Sequence, residues 1–107
     1  MDIVCHVAIA DDWEAGARFG EYEVATRGVA WEPGDYIRAT DPEHVAHVVA
    51  EIYGDVRLPL LRVDCSVAGL AAHGIEVASV DGNPRIFGAI PMVPEVVTAV
   101  VPIPRDR

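Results

Sequence analysis

The sequence predicts an α+β fold, with more strand than helix, in a single domain spanning residues 1–107. Three observations lead there. Two nearly continuous apolar stretches, "DIVCHVAI" at 2–9 and "RLPLLRVD" at 57–64, have the length and β-branched content of buried strands. The best-signalled helix lies between them, after Thr40-Asp41-Pro42-Glu43. The rest breaks into short apolar runs separated by glycine and proline.

Taken in order, residues 2–9 read as a central strand covered on both faces. "ADDWEAGARFGEY" follows as a short helix through Ala17, capped by Asp11 or Asp12 and ended near Gly20, with Trp13 directed to the core. From Glu21 to Asp35, Gly28, Pro33 and Gly34 mark an irregular loop. A short extended segment, Tyr36 to Ala39, then carries Arg38 into the main helix. In that helix Pro42 suits the first turn and Glu43 suits the positive end of the helix dipole. Val45, Val48, Val49 and Ile52 recur at helical spacing, and Gly54 closes the run. His44, His47 and Glu51 fall on the opposite face. Beyond the second buried strand, Ser66 can cap a helical turn in "SVAGLAAHG". "IEVASV", "RIFGAI" and "EVVTAVVPI" read as strands, with Asp81 to Pro84 as a turn.

Charge narrows the function. The formal net charge is −9, so the surface repels phosphate backbones and nucleic acid is excluded as an expected partner. All eight basic residues are arginine, which removes Schiff-base chemistry and a phosphate-loop lysine. No apolar run approaches the roughly 20 residues of a membrane span, so the expectation is a cytoplasmic protein with no membrane partner. Cys5 and Cys65 lack metal-type spacing and sit in apolar surroundings, as buried reduced thiols do. His44, His47 and Glu51 have a ligand-like spacing on a helix without a fourth ligand, which reads as solvated surface, and no metal is expected.

Several landmarks carry a resemblance. "VCHVAIADDWEAGARFGEYEVA", "DYIRATDPEHVAHVVAEIYGD", "LPLLRVD" and "NPRIFGAIPMVPEVVTAVVPI" line up, over nearly the full length, with small bacterial proteins grouped as domain-of-unknown-function family 952. The likeness implies a fold similar to ADP-ribosyltransferases: two small sheets around a cleft, with two or three short helices outside. His6 and Thr40 keep the residue types of that family, whereas two cleft histidines, in "FIH" and "FPH", are replaced by Arg38 and Arg85. The aromatic residue of "HLYG" falls at Phe87 and lacks the hydroxyl.

These positions form the expected site. A guanidinium does not act as a base but grips a carboxylate, phosphate or enolate through parallel hydrogen bonds. Arg38 and Arg85 are therefore expected to converge on an anionic or carbonyl oxygen; His6, mid-strand among apolar residues, reads either as a satisfied core residue or as a cleft residue that moves protons. Trp31, Tyr36, Thr40, Phe87 and Glu32 are the expected substrate-binding residues around them. The alternative reading of the arginines is structural pairing with acids such as Asp64 or Glu32. The leading functional expectation is a small-molecule pocket protein, an enzyme without cofactor that carries out an isomerisation, cyclisation or similar polar rearrangement. The alternatives are an NAD-dependent transferase of ADP-ribosyltransferase type and a non-catalytic binding or regulatory module. Homodimerisation is left open.

Overall fold

The computed structural model describes residues 2–26, 29–30 and 36–104. Strand β1 (Ile3–Ile9) leads into helix α1 (Ala10–Ala17) and the short strands β2 (Glu21–Tyr22), β3 (Val24–Thr26) and β4 (Val29–Ala30). After β5 (Ile37–Arg38) a 3₁₀ turn, Pro42–His44, opens α2 (Val45–Ile52). Strand β6 (Leu60–Ser66), helix α3 (Val67–Ala72) and strands β7 (Glu76–Val80), β8 (Asn83–Phe87), β9 (Ile90–Pro91) and β10 (Val97–Pro102) complete the chain. The α+β class is therefore as the sequence predicts, and no helix among the described residues is long and apolar enough to cross a membrane.

All strand pairs are antiparallel. Two three-stranded sheets, β1-β6-β10 and β5-β8-β7, carry most of the pairing, and β2-β9 and β3-β4 form two-stranded ribbons. The region from Glu21 onward is thus not a plain irregular loop. Its strands are only two or three residues long, too short to show an alternation in sequence. A second difference concerns β1. It is buried on both faces as expected, but β6 is the central strand of its sheet. The outer edge of β1 is closed instead by Thr40, whose N–H and C=O bond the C=O and N–H of Cys5 at 2.8 and 2.7 Å.

Local chemistry explains the boundaries. The Asp41 carboxylate accepts the His44 N–H at 3.1 Å, and Pro42 occupies the first turn, where no N–H is needed. Ser66 Oγ accepts the Gly69 N–H at 3.0 Å and so caps α3. Helix α1 differs from expectation: it starts at Ala10 without a side-chain cap, and Asp11 and Asp12 lie in its first turn, where they favour the helix dipole. The β7–β8 connection is tighter than a four-residue turn. Asp81 and Gly82, at φ 54° and 80°, form the two-residue loop that the strand twist prefers, and Asn83 and Pro84 already belong to β8.

The sheet β1-β6-β10 is packed on both sides. One face, with Val4, Ala8, Val63 and Cys65, meets Trp13, Tyr22, Ile37, Leu70, Ile86 and Ile90. The other, with Cys5, Val7 and Leu60, meets Val45 and Tyr53, flanked by Val48, Val49 and Ile52 of α2. Cys5 and Cys65 thus belong to opposite faces and their thiols cannot meet. The sheet β5-β8-β7 lays Ile37 and Ile86 into the first core and turns its other face outward.

Candidate anion-binding face

Alternation along two short strands builds the site. Ile37 and Ile86 are fully buried partners in the register, so the residues on either side of each project from the opposite face of the sheet. Those residues are Tyr36 and Arg38 on one strand and Arg85 and Phe87 on the other. Arg38 and Arg85 are direct cross-strand partners. The Ala39 N–H donates to the Pro84 carbonyl at 3.1 Å, which makes the next pair a non-hydrogen-bonded one. In such pairs the α-carbons approach to about 4.5 Å and the side chains leave the sheet close together.

Two cations placed opposite each other repel, and the surroundings offset this only in part. The Arg85 guanidinium stacks 4.1 Å from the centre of the Tyr36 ring, a cation–π contact. Tyr36 in turn lies against Phe87, with ring centres 6.1 Å apart and planes tilted by 57°. Phe87 is 38% exposed, Arg38 is exposed, and Tyr36 and Arg85 are half-buried. On the third strand Ala78 stands opposite Arg85, a small side chain that leaves the guanidinium uncovered on that side. Among the described residues neither arginine has a carboxylate partner. The register places Arg38 and Arg85 as neighbours on one face of the sheet, with Tyr36 and Phe87 beside them.

Of the two acids expected as structural alternatives, Glu32 lies outside the described residues and Asp64 is engaged elsewhere. It accepts from Arg62 Nε at 2.8 Å and from the Cys5 thiol at 3.1 Å, across the first sheet. Burial, reinforced by that carboxylate, pushes the Cys5 thiol up to about 12, and burial does the same to Cys65, so neither is a nucleophile at neutral pH. The pairing of Arg62 with Asp64 has a sequence signal, since residues two apart on a strand share a face.

His6 corrects the expected proton-moving role. It is 1% exposed and lies in the core between the two sheets, so it cannot touch a ligand on the arginine face. Its Nδ1 is 2.7 Å from the Arg38 carbonyl, an acceptor only, so Nδ1 carries the proton. Nε2 is then the acceptor for the Tyr22 hydroxyl at 3.1 Å. Burial lowers the His6 pKa from 6.5 to about 4, and the imidazole is neutral. Burial likewise raises the Tyr22 hydroxyl, which stays protonated as a donor.

The other expected residues are distributed as follows. Thr40 is buried at 8% and lines, with Cys5, Arg38, Ala39, Val48 and Tyr53, a cavity of about 10 Å³, room for a single water. Trp31 and Glu32 lie outside the described residues. His44 and His47 are exposed, His44 faces Asp41, and no group of three potential metal ligands occurs among the described residues. A surface groove of about 380 Å³ is lined by Asp2, Ile3, Asp41, Pro42 and Glu43, an acidic setting that disfavours an anion.

Scans against protein-family models, curated proteins and solved structures return no match to this chain. The likeness to domain-of-unknown-function family 952 therefore rests on the sequence landmarks alone.

Proposed function

We propose that this chain binds a small anionic or carbonyl-bearing molecule on the outer face of the β5-β8-β7 sheet. Arg38 and Arg85 grip its oxygens, while Tyr36 and Phe87 lie against its apolar part. The observation that carries this reading is the cross-strand arginine pair without a carboxylate partner among the described residues. Two adjacent guanidinium groups, without a carboxylate partner among the described residues, raise the local potential for an anion in a protein of net charge −9. A planar carboxylate or enolate can bridge both forks, and a lysine at either position would not reproduce that geometry.

If the bound molecule reacts, the arginines supply stabilisation of developing oxyanion charge, which suits an isomerisation or cyclisation that needs no cofactor. His6 is not the proton carrier in this scheme; it holds the Arg38 carbonyl from behind and positions the strand. Nuclear magnetic resonance titration with benzoate and with inorganic phosphate tests the reading. The proposal expects shifts centred on the Arg38 and Arg85 Nε–H groups and the Tyr36 and Phe87 rings. Shifts centred elsewhere, or none at either anion, would overturn it.

A further inference from the structure

The face that carries Arg38 and Arg85 continues onto β7. Val77 packs against the first core, so its neighbours Glu76 and Ala78 project from the outer face of the sheet. The register puts Ala78 opposite Arg85 and Glu76 opposite Phe87. Two rows therefore cross the three strands on that face. One holds Arg38, Arg85 and Ala78, and the other holds Tyr36, Phe87 and Glu76. The two signs of charge stand on opposite sides of Phe87. The Arg85 guanidinium lies over the Tyr36 ring, on the β5 side. Glu76 belongs to β7, two strand spacings from β5, or about 10 Å across the sheet. It is exposed, and among the described residues no hydrogen bond or ion pair engages its carboxylate.

We infer that the molecule this face selects is zwitterionic, with a carboxylate on Arg38 and Arg85, an aromatic ring against Phe87 and an ammonium group on Glu76. The inference rests on the anion-binding reading above and adds Glu76 to it as the residue that sets specificity. Charge decides among the alternatives. A dianion brings its second charge toward the Glu76 carboxylate and is repelled, whereas a plain cation meets the two guanidinium groups first. An uncharged substituent leaves Glu76 solvated and gains nothing from it. Spacing narrows the class further. An α-amino group sits beside its own carboxylate and falls short of Glu76 when that carboxylate is on the arginines. A ring with its two charged groups in para positions crosses Phe87 and reaches both ends. Ala78, between Arg85 and Glu76 on the other side of that path, is small enough to leave room for the ring. Because Glu76 is exposed, its ion pair contributes discrimination more than affinity.

Nuclear magnetic resonance titration of the full chain with 4-(aminomethyl)benzoate and with its uncharged isostere 4-ethylbenzoate tests this, in wild type and in Glu76→Gln. The affinity ratio of the amine to the isostere is expected to fall by about threefold to fivefold in the variant, the size of an exposed ion pair. In the wild type the amine is expected to shift the Glu76 side-chain resonances and the isostere to leave them in place, a readout that does not need the variant to fold. An unchanged ratio in folded Glu76→Gln, or Glu76 resonances indifferent to the ammonium group, would overturn the inference. If both compounds still shift Arg38 and Arg85 in that case, the anion-binding reading survives it. If neither compound shifts them, both fall together.

Discussion

The two three-stranded sheets treat arginine in opposite ways. In β1-β6-β10, packed on both faces, Arg62 is answered two residues later by Asp64, which also takes the Cys5 thiol. In β5-β8-β7, packed on one face, Arg38 and Arg85 are cross-strand partners, and among the described residues the Tyr36 ring lies against Arg85 and no carboxylate pairs with either. A guanidinium half-sunk in a packed sheet carries a desolvation cost that a carboxylate offsets. One on an open face keeps more of its water and needs no such partner. The same residue type has a carboxylate partner in one sheet and, among the described residues, none in the other.

His6 joins the two sheets, so changing it should have the largest effect. Its imidazole satisfies the Arg38 carbonyl and the Tyr22 hydroxyl inside the core. His6→Ala leaves both without a partner and opens a cavity, and is expected to cost about 3–5 kcal/mol in denaturant unfolding. A loss under about 1 kcal/mol would show that the sheets are held together without it.

The acid limb of the stability curve sharpens the same point. His6 binds its proton less readily in the folded protein, at about 4, than in the unfolded chain, at 6.5. Unfolding therefore takes up a proton between those values. Stability from this group is complete above pH 6.5 and falls as the pH drops toward 4, by on the order of 3 kcal/mol, with no further loss below. The slope in that window should diminish in a His6→Gln variant.

A smaller effect is expected in the first sheet. Asp64→Ala strands the Arg62 guanidinium and the Cys5 thiol, but Arg62 is partly solvated, so the loss should be about 1–2 kcal/mol. Arg38→Ala or Arg85→Ala should leave stability unchanged, or raise it by up to about 1 kcal/mol through relief of the facing charges. Thermal melts of these variants side by side compare the two sheets directly.

Much of this arrangement was legible in the sequence, and unevenly so. Helix α2 was the clearest element, because Asp41, Pro42 and the Val45-to-Ile52 spacing are local signals that need no partner. Ser66 was legible as a cap for the same reason. The order β1-β6-β10 was not, since a strand buried on both faces reads alike at a sheet's centre or beside Thr40. The pairing of Arg38 with Arg85 has no local signal, because it depends on a register between residues far apart in the chain, and the family likeness alone brings the two positions together. His6 shows the remaining limit. Its place in an apolar strand fitted a core residue and a cleft residue equally, and only its partners, Tyr22 and the Arg38 carbonyl, distinguish them.

The central claim is that Arg38 and Arg85 are held for a ligand, whereas Arg62 is held for the fold. Its most direct test measures benzoate affinity and unfolding free energy in three proteins: wild type, the double variant Arg38→Ala/Arg85→Ala, and Asp64→Ala. The account predicts that the double variant loses affinity by about tenfold or more with stability intact, and that Asp64→Ala loses stability while its folded fraction keeps wild-type affinity. Wild-type affinity in the double variant, or a double variant destabilised as much as Asp64→Ala, would contradict it.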